Sequence, residues 1–82
     1  MSVKASTISF NEAMLRIALI HRKQVEFRYE KDEKAPIESR RLIPSSITIA
    51  KNGDMSFFGF DPDREAERQF RVDRIKGDVR FV

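Results

Sequence analysis

Arg68-Gln69-Phe70-Arg71-Val72-Asp73-Arg74-Ile75 is the stretch on which the reading of this chain turns. Read as a strand, its period of two sends Arg68, Phe70 and Val72 to one face and Glu67, Gln69 and Arg71 to the other. Asp73 breaks the alternation. As an N-cap, with Gly77 at the position after the last helical residue, it makes Arg74-Ile75-Lys76 a single helical turn between two strands. Phe70 and Val72 are therefore candidate core. The arginines admit two readings: surface charges lying over a barrel rim, or a cluster of forked guanidinium donors for an acidic ligand.

Upstream, Val25 to Glu30 alternates strictly, with Val25, Phe27 and Tyr29 inward. Residues 37–42 form a second strand, and Pro44 forces a bend, bulge or edge before the chain resumes through Ile47 and Ile49. Asn52-Gly53 is the signal of a two-residue type I′ hairpin. That turn sets Ile49 opposite Ser56 and Ile47 opposite Phe58, and so predicts a core face of Ile47, Ile49, Phe58 and Phe60. Thr48, Ala50, Met55 and Phe57 then fall on an outer face unusually apolar for water. Asp61-Pro62-Asp63 turns the chain into the opening stretch, and a last strand puts Val79 and Phe81 inward.

Ahead of the strands, Ser9-Phe10-Asn11-Glu12 reads as a capping box starting a helix that runs to about Arg22. Residues 1–8 read as poorly ordered or weakly extended, and residues 9–82 as one domain. On the helix Phe10, Met14, Ile17 and Ala18, extended by Ala13 and Ile20, form the expected core stripe. His21 at the helix end reads as a structural residue. Leu15 and Leu19 lie off that stripe and form a candidate docking strip. The fold class expected is mainly β (α+β): an N-terminal helix followed by a small five-stranded antiparallel barrel.

In their order, these pieces resemble the WYL domain, an Sm-like or SH3-like β-barrel module of bacterial and phage regulators. The opening octapeptide resembles its C-terminal signature. Val25-Glu26-Phe27-Arg28-Tyr29 resembles its first strand ending in tyrosine, Arg41-Leu42-Ile43-Pro44 its arginine–x–x–proline step, and Gly53 with Met55 to Asp61 the strand that names the family. The match runs from about Ala13 to Lys76. The naming Trp-Tyr-Leu is absent, its place taken by Met55-Ser56-Phe57. The resemblance implies that basic residues at Arg41, Arg68, Arg71 and Arg74, with the aromatic Tyr29, help bind nucleic acid or a nucleotide-like ligand. For Tyr29 itself, core packing with a hydrogen-bonded hydroxyl is the competing reading.

At 82 residues the chain makes one small domain, with no room for a helix-turn-helix, so the expectation is a stand-alone module. Seven Phe suffice for one core. The net charge of +3 permits an acidic partner but is mild beside that of a nucleic-acid coating protein. No cysteine exists, which excludes disulfides and thiolate metal sites and points to a reducing, cytoplasmic setting. One histidine offers no base pair or metal triad, and the three glycines form no phosphate loop, so neither an enzyme nor a cofactor is expected. A membrane span is not expected either. Two functions stay open: binding single-stranded nucleic acid or a nucleotide through the arginines, or docking on a partner protein or second copy through Leu15/Leu19 or Met55/Phe57.

Overall fold

The helix starts earlier than its sequence signal. In the computed structural model, which describes residues 5–82, α1 runs from Ala5 to His21. Ser9 and Glu12 therefore lie in the helix body, and the Ser-x-x-Glu spacing caps nothing. Residues 5–8, expected to be extended, are helical; the rest of that expectation concerns residues 1–4, outside the described part. The helix ends on Arg22 at φ 54°, with the Lys23 amide donating to the Ala18 carbonyl at 2.9 Å. This is the six-to-one bond of a Schellman motif, made here without glycine.

The face that α1 buries also differs from the expected one. Asn11, Leu15 and Ala18 are buried, with Ile8 and Met14 packed at the margin, whereas Phe10, Ile17 and Ile20 are exposed. The helix is apolar on two opposite sides, so hydrophobicity alone cannot choose between them. Asn11 decides. Its Nδ2 donates to the Gly77 carbonyl and its Oδ1 accepts from the Val79 amide, each at 2.9 Å. Leu15 follows Asn11 inward by one turn and belongs to the core, which corrects its reading as a docking residue.

Five antiparallel strands follow: β1 (Val25–Glu30), β2 (Ile37–Ile49), β3 (Met55–Asp61), β4 (Ala66–Arg71) and β5 (Ile75–Phe81). They lie in the order β4-β3-β2-β1-β5, so the expected helix and five-stranded antiparallel sheet are both present. β2 serves both halves. Residues 37–42 pair with β1 and residues 43–49 with β3, with a register shift between Pro44 and Ser46. Proline has no amide to give a ladder, so the bend falls there. Its partner across the ladder is Gly59. A Cβ on Gly59 would stand 2.8 Å from the Pro44 Cα, closer than real Cβ atoms approach, so only glycine permits the bend.

The hairpin between β2 and β3 is one residue longer than expected. Ala50 donates its amide to Asp54 and accepts from the Gly53 amide, both at 2.9 Å, enclosing Lys51-Asn52-Gly53 with Gly53 at φ 92°. Asn52 accepts the Asp54 amide on its own side chain, which favours this tighter local arrangement. Ile49 is consequently opposite Met55, and Ile47 opposite Phe57. A slip of one residue exchanges the faces of a strand. Phe57 is fully buried and Met55 and Ile47 pack against the core, while Phe58, Phe60 and Ile49 are exposed. Met55 and Phe57 are thus core-side residues and not a docking face.

β4 and β5 are the two ends of the sheet, joined by a 3-10 turn at Val72–Arg74. That turn comes two residues before the one expected, because Val72 is drawn into the core and Asp73 turns its carboxylate to Arg71 instead of capping. Phe70 and Val72 are buried as expected. Phe81 is exposed at the sheet end, with the Lys23 ammonium 5.9 Å from its ring centroid.

Replacing Asn11 with Ala strands the buried amide of Val79 and removes a partner of the Gly77 carbonyl. We expect a loss of about 2–4 kcal/mol in urea unfolding. Ser9→Ala, at a mid-helix position, should be neutral or slightly stabilising. A loss for Ser9→Ala as large as that for Asn11→Ala would mean that a cap at Ser9 does exist.

Candidate ligand-binding cleft

The curled sheet does not close by a backbone ladder between its ends. Instead the Tyr29 hydroxyl of β1 accepts the Arg71 amide of β4 at 3.1 Å. Tyr29, Phe27 and Phe70 meet edge-on beneath this bond, with ring centroids 4.9–6.1 Å apart. Tyr29 is therefore packed, its hydroxyl used and its ring covered. Beside it opens a cleft of about 420 Å³, lined by Tyr29, Lys31, Glu38, Arg40, Arg64, Arg68, Gln69, Phe70 and Arg74.

Arg40 forms the floor. Its guanidinium carbon lies 4.9 Å from the Phe70 ring centroid and its Nη2 donates to Asp61 at 3.1 Å. Its buried Nε has no hydrogen-bond partner. Asp61 is itself fully buried at the end of β3, where its Oδ1 accepts the amides of Asp63 and Arg64 at 3.0 and 3.2 Å. This Asx turn is why Asp61-Pro62-Asp63 reverses the chain. Burial by itself would raise the Asp61 pKa. The Arg40 hydrogen bond and the two amides outweigh it and hold the carboxyl below its ordinary value.

The rim is made of the other arginines. Arg64 lies 3.6 Å from Glu38 and 3.8 Å from Asp61. Arg74 donates one nitrogen to the Lys31 carbonyl at 2.7 Å. Arg68 is exposed and makes no side-chain hydrogen bond or ion pair among the described residues. Four guanidinium groups thus face two carboxylates, Glu38 and Asp61, leaving the cleft cationic. Such a site attracts and forks onto oxyanions.

Of the residues singled out in the sequence, Tyr29, Arg68 and Arg74 meet at this cleft. Arg41 does not. It alternates to the opposite face of β2, donating to Glu26 at 3.3 Å beside Arg80. Arg71 is turned away as well, clamped to Asp73 at 3.0 and 2.6 Å and to Asp54 at 2.8 Å. The Asp73 hydrogen bond pushes its already high pKa further up, so its charge serves the hairpin. Leu19 is half-buried beside Ile43 and Phe60. Arg40 and Arg64 are the functional candidates that sequence reasoning misses. A signal for Arg40 exists: it shares the inward parity of Leu42, whereas Arg41 has the other parity.

With this geometry in place, comparison with known proteins gives the following. The profile of the WYL domain family matches residues 12–79. Among solved structures, Proteasome accessory factor B/C (PafBC) of Arthrobacter aurescens superimposes with a TM-score of 0.81 at 17% identity. The likeness covers 99% of this chain and 12% of that one, so this chain spans a small part of PafBC's length. Comparison with the curated proteins finds no match. No helix among the described residues is long and apolar enough to cross a membrane.

The Asp61 geometry carries a pH signature. Because the folded carboxyl has a lowered pKa, its contribution to stability is complete above the ordinary aspartate value of about 3.9 and is lost as pH falls through the folded value. Urea midpoints of the wild type should therefore drop on acidification below about pH 4. Asp61→Asn should be less stable at neutral pH and flatter across that acid range. Parallel profiles for the two proteins would remove Asp61 from the account.

Proposed function

The chain belongs to the WYL domain family, and from that premise we propose that it is a regulatory, ligand-sensing module without catalytic activity. Its ligand is the phosphate-bearing backbone of a single-stranded nucleic acid or a nucleotide, held in the cleft beside Tyr29. The observation that carries this reading is Arg68. Its guanidinium has no partner among the described residues and stands on the rim, next to Arg64 and Arg74, over a floor where Arg40 is already fixed by Asp61 and Phe70. Rim arginines with spare donors suit phosphate oxygens, and a prepositioned floor lowers the ordering cost of binding. Tyr29 is covered and offers no stacking face, so recognition rests on charge and guanidinium planes more than on base identity. Such ligands belong to the cytoplasm, the setting proposed for this protein.

Binding of a labelled single-stranded oligonucleotide, followed by fluorescence anisotropy over a salt series, tests this. Arg64→Ala, Arg68→Ala and Arg74→Ala should each weaken binding and flatten the log K against log salt slope by about 0.7. Arg41→Ala should change neither, and the melting temperatures of the Arg64 and Arg68 variants should stay near that of the wild type. Undetectable binding at low salt, or an equal loss for Arg41→Ala, would overturn the reading.

A further inference from the structure

A second hollow, of about 480 Å³, adjoins the arginine cleft. Tyr29, Gln69 and Arg74 line both spaces, so the two share a wall, while Asn52, Asp54 and Ser56 line only the second. Its polarity is of another kind. Arg40, Arg64 and Arg68 belong to the cleft alone, and the arginine peculiar to the hollow, Arg71, is held by Asp73 and Asp54. Two groups here have bonding capacity that the chain leaves unused. Ser56 is only 7% exposed, yet its hydroxyl has no hydrogen-bond partner among the described residues. Asp54 accepts from Arg71 Nη2 at 2.8 Å and Asn52 Nδ2 at 3.0 Å, both on Oδ2, and no described residue donates to its Oδ1. The two share one parity at the start of β3, where Ser56 stands opposite Arg71.

We infer that this hollow holds the base of a nucleotide whose phosphate lies on Arg68 and Arg74, and that it selects guanine; the inference rests on the reading of the cleft as a phosphate site. A carboxylate accepts only, at about four lone-pair positions, so Asp54 with two of them filled takes a base edge that offers donors. Arg71 and Asn52 fix its orientation beforehand, which lowers the ordering cost. Among the common bases only guanine carries two neighbouring donors on its pairing edge, N1–H and the 2-amino group. Beside them is an acceptor, O6, to which the Ser56 hydroxyl can donate. Adenine and cytosine set a ring-nitrogen lone pair next to their amino group. Thymine and uracil flank a single N–H with two carbonyls. Each of these turns a lone pair toward the carboxylate, which is repulsive. The cleft thus supplies affinity through charge, and the hollow adds a preference for one base.

End-labelled pentadeoxynucleotides, four thymidines around a central guanine, adenine, hypoxanthine or thymine, test this by fluorescence anisotropy at low salt. The guanine pentamer should bind about tenfold more tightly than the thymine one, as a bidentate base contact does. Adenine should do no better than thymine, and hypoxanthine, which lacks the 2-amino group, should fall between. Asp54→Asn should bring the guanine-to-thymine ratio to about one. Ser56→Ala should lower that ratio without lowering the melting temperature, because the hydroxyl bonds nothing within the described chain. Arg68→Ala should weaken both pentamers and leave the ratio alone. Equal binding of all four would overturn the inference while the phosphate reading stands. No binding of any of them would overturn both. A preference for adenine, or a guanine preference that survives Asp54→Asn, would likewise overturn it by placing base readout elsewhere.

Discussion

One side-chain hydrogen bond substitutes for the ladder that this sheet lacks. Among the described residues β4 and β5 have no strand partner on their outer sides, and the Tyr29 hydroxyl accepting the Arg71 amide, above the packed rings of Phe27, Tyr29 and Phe70, ties β4 to β1 across the opening. The bond places Tyr29 beside Phe70, Phe70 beneath Arg40, and Arg40 against buried Asp61. Every group of the cleft floor thus depends on where the seam is pinned. A sheet closed by backbone pairing would have no gap at this point, and the arginines of β2, β4 and the 3-10 turn would have no common space to face.

A second polar side chain fixes the other end of the sheet. Asn11 gives α1 a defined rotation by satisfying one carbonyl and one amide of β5, an otherwise unpaired edge. Leaving such groups unsatisfied costs about 1–3 kcal/mol each, which opposes turning the more apolar helix face inward. The result is a helix that keeps its bulkiest apolar row outside. Buried polar geometry therefore shapes both the cationic cleft and the exposed row of α1.

Much of the fold is legible in the sequence. The strict alternation of Val25 to Glu30 gives β1 with its boundaries, and the alternation through Phe70 and Val72 puts both of these inward, though it leaves Arg68 exposed. What misleads is parity. Asn52-Gly53 reads equally as a two-residue turn or as the end of a three-residue loop, and the difference of one residue exchanges Phe57 with Phe58. Ser9 and Asn11 both carry groups able to bind backbone, and only the packed structure shows that Asn11 reaches β5. For the site, Tyr29, Arg68 and Arg74 are readable, but Arg40 and Arg64 are brought in by Asp61, a buried carboxylate that resembles an ordinary turn residue in the sequence. Arg41 and Arg71 look equally basic on paper, and each is claimed by a carboxylate that lies far from it or beside it in sequence, Glu26 and Asp73.

The central claim is that the opening beside Tyr29, and no other cationic surface, takes an anionic ligand. Arginine side-chain NMR tests it most directly, since the ten arginines give ten Nε–Hε probes distributed over every face of the domain. On titration with a short single-stranded oligonucleotide, the account predicts shifts at Arg40, Arg64, Arg68 and Arg74, with Arg28, Arg41 and Arg80 unmoved. Shifts centred on Arg41 and Arg80, or spread evenly over all ten, would contradict it.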